Sequence, residues 1–173
     1  MFQPKTQLMR DLARKSGRRV ITLYVTFPAG DFKMKTETPE LDRLVVHCKK
    51  SPYDVLIDRT TKWGNPYSHK KGTLAKWVVP SREIAVLKYW EYMMDQVHDG
   101  KVSLQDLAEL ENKVLGCWCA PKLCHGHFLS AMAVCAGAVI TAIPDKELQM
   151  IAFVKYMTVL AKDILKDVRS MKE

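Results

Sequence analysis

The chain has 173 residues, 47% of them hydrophobic, which is enough for one compact domain with a sizeable core and too few for two ordinary ones. Twenty-seven Lys plus Arg against nineteen Asp plus Glu give a net charge of +8, which favours anionic partners: nucleotides, nucleic acid or an acidic protein. Five cysteines, an odd number, with no stretch that joins a basic start, an apolar run and a small-residue cleavage site, argue against secretion, so the expected setting is a reducing cytoplasm.

Six of the first nineteen residues are basic, and Leu8, Met9 and Leu12 form a short apolar stripe among them. Residues 1–19 read either as a basic arm that touches phosphate or an acidic partner, or as a solvated terminus. Residues 20–27 are rich in β-branched and aromatic side chains and stop at Pro28-Ala29-Gly30, which predicts a strand and its end. Residues 44–48 and 54–57 predict two more strands. A polar loop follows, from Asp58 to Gly72. In it Gly64, Asn65 and Pro66 favour a tight turn, Trp63 and Tyr67 supply flat faces, and Arg59, Lys62, Lys70 and Lys71 supply positive charge. Such a loop can hold a base and its phosphate, or be a surface turn whose Trp anchors in the core.

Ser81 caps a helix in which Ile84, Leu87, Trp90, Met94 and Val97 recur at helical spacing until Gly100. Ser103-Leu104-Gln105-Asp106 opens a shorter helix with a capping-box pattern, and residues 113–119 follow as an apolar strand. The longest apolar stretch, 128–143, is shorter than the roughly 18 to 20 residues of a membrane span and reads as buried core, with 128–136 helical. Pro144-Asp145 starts a last helix on which Met150, Phe153, Val154, Met157, Leu160, Ala161, Ile164 and Val168 share one face. That amphipathic face either packs on the domain or makes a homodimer contact. The expected organisation is a basic arm over 1–19, a single α/β domain over 20–143 and a C-terminal helix over 144–173. Strands alternating with helices predict a three-layer α/β domain with a short, mostly parallel sheet, in which ligands gather at strand carboxyl ends.

Residues 117–127 hold three of the five cysteines and two of the five histidines. On a strand, Cys117 and Cys119 face the same side and Trp118 faces the other, into packing. Residues 120–123 turn the chain, and Cys124-His125 then stands at a helix start, where unpaired amides stabilise a thiolate. Three chemistries fit. Cys117, Cys119 and Cys124 with His125 or His127 can form a tetrahedral zinc site, although the spacing is not that of paired knuckles. Cys124 can be a nucleophile or redox thiol of lowered pKa, with His125 or His127 as proton carrier. The helix start can also hold an anion such as phosphate. Buried cysteines acting as small hydrophobes are the structural alternative, and Cys48 and Cys135, in apolar settings, read as core. A Walker loop, a Gly-x-Gly-x-x-Gly turn, a Gly-x-Ser-x-Gly elbow and the zinc-deaminase signature are missing from the sequence.

Arg59, the block Trp63-Gly64-Asn65-Pro66-Tyr67, Ser81-Arg82-Glu83 at a helix start, and the run from Leu115 through Cys117-Trp118-Cys119 to Cys124-His125-Gly126 resemble the family called domain of unknown function 4326. It is common in phages and also found in bacteria and large viruses. The resemblance spans about residues 43 to 135 in the right order. Where that family usually shows a Gly-Arg pair after its strand, this chain has Asp58-Arg59. A weaker similarity links the chain to α/β families with a Cys-His-Arg triplet at a helix start, where Gly126 stands here in place of the Arg.

The resemblance implies a small Rossmann-like domain whose site combines the Arg59/Trp63–Pro66 loop with the Cys124 helix start. The functional expectation is a phage-type protein of the host cytoplasm that binds or acts on a nucleotide or a nucleic-acid-derived substrate. Arg59 and Lys62 would bind phosphate, Trp63 and Asn65 would shape a base pocket, and Gly64 and Arg82 would be further substrate-binding residues. Cys119, Cys124 and His125 would react, or Cys117, Cys119, Cys124 and His127 would hold zinc. The rival is a non-catalytic, zinc-stabilised module that binds nucleic acid or an acidic host protein.

Overall fold

The structure of the chain, a computed structural model, describes residues 19–27, 30–38 and 44–170, with side chains over 44–161. The expected basic arm, Arg19 apart, lies outside the described residues, as do the side chains of Ile164 and Val168.

The first element is a hairpin. β1 (Arg19–Phe27) and β2 (Gly30–Thr38) run antiparallel, from Arg19 opposite Thr38 to Phe27 opposite Gly30. The chain therefore turns back where the sequence reading ends a strand. The alternation of Phe32, Met34 and Thr36 with Lys33, Lys35 and Glu37 is the strand signal that the reading leaves unused.

β3 (Val45–His47) and β4 (Val55–Leu56) follow, and then β5 (Tyr67–Ser68) pairs in parallel with β6 (Trp77–Val78). α1 (Arg82–His98), α2 (Leu104–Ala108), β7 (Leu115–Cys117), α3 (His125–Ala142) and α4 (Lys146–Ser170) complete the order. The central sheet has the order β3-β7-β4, parallel throughout. β7 is buried at all three of its residues, as a central parallel strand must be. The protein is thus an α/β domain with short parallel strands. Three strands are too few to display the doubly wound order of a Rossmann domain.

The helices begin where their caps place them. The Ser81 hydroxyl accepts from the Ile84 amide at 3.2 Å, and Ser103 and Asp106 form the full capping box of α2. The buried stripe of α1 is Ala85, Val86, Tyr89, Met93 and Val97, rotated from the expected one, with Ile84 exposed. Periodicity identifies a helix, but with apolar residues spread this widely it does not fix which ones meet the core.

α3 starts at His125, three residues before the expected 128, because Cys124 serves as its N-cap: the Cys124 sulfur accepts from the Gly126 amide at 3.4 Å. Cysteine is outside the usual N-cap residues, so the sequence signal for this start is weak. Twelve of the eighteen α3 residues are buried, and the helix contacts β3, β7, α1, α2 and α4, which makes it the centre of the core. Each large side chain that it buries, such as Phe128, Leu129 or Met132, stabilises the fold by about 1.5–3 kcal/mol.

Among the described residues α3 is the one helix long and apolar enough to cross a membrane, and 67% of it is buried inside the domain. The full helix thus reaches the length that the 128–143 stretch alone does not. α4 packs on α3 through Ala152, Phe153, Tyr156 and Met157, while Ile151, Val154 and Val159 are exposed.

Truncating the core helix should be costly and truncating the surface of α4 should not. Met132→Ala is expected to lower unfolding free energy by about 2–5 kcal/mol in urea titration, and Val159→Ala to stay within about 0.5 kcal/mol of the parent.

Candidate functional site

The site begins at the chain's exit from β4. Asp58 accepts from the Thr60 amide at 2.9 Å and from its hydroxyl, and Thr61 donates to the Asp58 carbonyl, so the backbone turns at once. Gly64 seats against that turn. A Cβ there would lie 2.4 Å from both the Arg59 Cα and the Asp58 carbonyl oxygen, so no larger residue fits. Asn65 is buried and bridges two elements: its amide donates to the Ala85 carbonyl of α1 at 3.0 Å, and its side-chain oxygen accepts from the Tyr67 amide at 2.8 Å. Arg59 closes the loop on itself, donating through Nε to the Asn65 carbonyl at 2.8 Å and through Nη2 to the Tyr67 carbonyl at 3.2 Å.

The second half comes from β7 and α3. The strand ends at Cys117, two residues earlier than expected, and the chain bends at Trp118. Trp118 therefore does not pack inward; it is 55% exposed. Cys117 and Cys119 still meet the same cleft, together with His125. His125 Nδ1 lies 3.9 Å from the Cys117 sulfur and 3.7 Å from the Cys124 sulfur, while Nε2 lies 2.9 Å from the Ile57 carbonyl oxygen. A carbonyl can only accept, so Nε2 carries a proton and Nδ1 is the atom turned to the sulfurs. The ring also meets Tyr89 edge-on at 4.7 Å.

Gly126 allows this approach. A Cβ on it would come within 2.8 Å of Ile57 and 2.9 Å of Val45, so an Arg in its place would push the helix start off the sheet.

The cluster titrates as a unit. Hydrogen bonds with Cys117 and Cys124 hold the Cys119 thiol well below its usual range, whereas bonding to Cys117 and Cys119, with burial, pushes Cys124 well above it. Burial disfavours the charged His125 ring, but hydrogen bonds to Cys117 and Cys119 and to the Ile57 carbonyl outweigh it and raise the ring to about 9.

Both halves line one cleft of about 280 Å³, just below the roughly 300–1,000 Å³ of typical ligand pockets. Arg59, Asn65, Arg82, Cys117, Cys119 and His125 are all on it, together with Asp58, Tyr67, Lys70 and Trp118. Arg82 donates to the Leu123 carbonyl at 3.3 Å, which ties α1 to the turn before α3. The cleft carries three permanent cations, Arg59, Lys70 and Arg82, against one carboxylate, Asp58.

Several expected site residues stand elsewhere. Lys62 is off the cleft, paired with Asp106 and lying 4.6 Å above the Trp63 ring. Trp63 is only 6% exposed and belongs to the core, with its carbonyl accepting from the Tyr89 hydroxyl at 2.9 Å. Gly64 makes the turn but does not line the cleft. Cys124 is fully buried and also off it, so Cys119 is the half-buried sulfur that meets the cleft.

The ligand atoms of Cys117, Cys124 and His125 lie within 4.8 Å of one another, close enough to share one metal ion. His127 is not in that group: the ring that reaches the sulfurs is the one at the first helical position. Trp118 and Asp58 are cleft residues that the sequence reading misses. The Cys-Trp-Cys pattern read as a strand hides the bend that turns the indole outward.

Substitutions in the loop should report its role as scaffold. Gly64→Ala is expected to cost about 1–3 kcal/mol through overpacking and Asn65→Ala about 1–3 kcal/mol through the two lost bonds. Both are measured by chemical denaturation.

Sequence comparisons place these residues in a known family. No solved structure matches the chain. Similarity is found to the "Uncharacterized 12.4 kDa protein in nrdA-td intergenic region" of Enterobacteria phage T4, which is 34% identical over 86 residues, 50% of this chain and 72% of that protein. The model of the family described as "Domain of unknown function (DUF4326)" matches residues 45–135, from β3 into α3, and so takes in both halves of the cleft. With more than half of its length matched, the chain belongs to the DUF4326 family of domains of unknown function.

Proposed function

We propose that this domain binds a nucleotide or a nucleic-acid-derived anion in the cleft, with a zinc ion held by the Cys/His cluster beside it. The observation that carries the reading is that two arginines, from separate elements, and the Cys117/Cys119/His125 group line one ligand-sized cavity. Each guanidinium has five N–H donors, and the bonds to Asn65, Tyr67 and Leu123 fix both groups while using only some of them. Pre-positioned guanidinium groups suit phosphate, whose oxygens accept charge-assisted and bidentate bonds.

Zinc is supported by distance and by ligand chemistry. Around a tetrahedral zinc with bonds of about 2.3 Å to sulfur and 2.0 Å to nitrogen, a sulfur and a nitrogen lie about 3.5 Å apart. The two His125 Nδ1 to sulfur distances are 3.7 and 3.9 Å. The Ile57 carbonyl on Nε2 is the kind of outer partner that orients a metal-binding histidine. Cys117, Cys124 and His125 would be the buried ligands and Cys119 the one on the cleft side.

A second reading has its own support. Full or nearly full burial of Cys117, Cys124 and His125 suits a structural zinc site, and the +8 charge suits a non-catalytic module that binds nucleic acid or an acidic protein.

Metal analysis of protein purified under reducing conditions is expected to find about one zinc per chain, with Cys117→Ser abolishing it. Metal-free protein that stays folded would overturn the zinc assignment. Titration calorimetry with a panel of nucleotides tests the cleft: Arg59→Ala and Arg82→Ala should each weaken binding about tenfold or more. If wild-type protein binds no nucleotide or oligonucleotide, the cleft reading fails. A fall in log affinity with log salt for duplex DNA, with little selectivity among free nucleotides, would favour the binding module.

A further inference from the structure

We infer that Trp118 is the platform on which the planar base of the cleft's ligand stacks. This rests on the reading of the cleft as a nucleotide-type site and names the part of the ligand that the arginines do not explain.

Trp118 is 55% exposed, an unusual fate for the largest apolar side chain in a domain whose core has taken up Trp63. It is nonetheless held. The indole N–H donates to Asp58 Oδ2 at 3.3 Å, the His47 ring meets the indole in a T-shaped contact at 6.0 Å, and the Lys49 ammonium stands 5.5 Å from the ring centroid. Three neighbours hold the ring while about half of the residue remains exposed, and Trp118 lines the same cleft as Arg59 and Arg82. A held, half-exposed aromatic side chain lining the same cleft as two guanidinium groups matches a flat heterocycle joined to phosphate. Every nucleobase has a π-face, so the match is to the base-plus-phosphate chemistry and not to one base.

Two aromatic rings of the loop are engaged elsewhere. The Tyr67 ring already stacks on Trp77 at 4.9 Å, and Trp63 is in the core. Asp58, in the turn that follows β4, is the residue that anchors the indole.

Two sources supply this chemistry, a free nucleotide and the exposed base of a single strand. Affinities of the full-length chain are measured by calorimetry for inorganic triphosphate, for a nucleoside triphosphate and for a short single-stranded oligonucleotide. Wild type, Trp118→Ala and Trp118→Phe are compared.

Loss of stacking should weaken the base-containing ligands about five- to a hundredfold in Trp118→Ala while inorganic triphosphate binds as before. Trp118→Phe should recover most of the loss. The base-containing ligand that wild type binds more tightly identifies the source. If Trp118→Ala binds nucleotide and oligonucleotide like wild type, the inference falls and the cleft reading stands. Equal loss for triphosphate and nucleotide would mark a general disturbance of the cleft and would also overturn it. If wild type binds none of the three, the cleft reading itself fails.

Discussion

The start of α3 pressed onto the sheet is the constraint from which the rest of this domain follows. The His125 ring reaches the Ile57 carbonyl at 2.9 Å, and Gly126 lets the helix backbone close on Val45 and Ile57. That contact buries the first turn of the most apolar helix and joins it to two strands of the central sheet. It also decides which atoms meet. With Nε2 committed to a carbonyl, Nδ1 is the nitrogen left facing the sulfurs, and Cys117, at the end of β7, is already beside it. One packing event thus seals the core and assembles the cluster.

The loop after β4 supplies the other half of the cleft by a different physical route. It has little regular structure, and its shape is held by side chains bonded to backbone: Asp58 to Thr60, Asn65 to Ala85 and Tyr67, Arg59 to Asn65 and Tyr67. Buried amide groups that satisfy both a donor and an acceptor are costly to replace, so Asn65 acts as a rivet between loop and α1. Arg59 contributes to the same scaffold and still presents charge to the cleft.

Much of the domain was legible in the sequence for local reasons. Strands β3 and β4, the Ser81 cap, the Ser103 capping box and the last helix all carry short-range signals, namely apolar runs, cap residues and turn breakers. The two segments that form the cleft were also recognisable, because rare residues cluster in them. Other features depended on contacts that no short window contains. Of the two readings open for Trp63 the core one holds, its carbonyl bonded by Tyr89, a residue 26 positions away, while Trp118 is turned out by a bend that Cys-Trp-Cys does not announce. Lys62 reads as a phosphate ligand until Asp106, 44 positions on, takes its charge. The choice of His125 over His127 depends on which face of the first helical turn meets Ile57.

By itself, the sequence determined the composition of the site: an arginine-bearing loop, a cluster of cysteines and histidines, and the α/β alternation that sets both after strands. Those are matters of residue type and spacing, and spacing is local. The tertiary structure alone decided which histidine joins the sulfurs, which cysteine is half-exposed on the cleft and which tryptophan lines it. Each of these choices is made by burial and by hydrogen bonds between residues far apart in the chain, where the free energy of packing one side chain inward leaves its neighbour exposed.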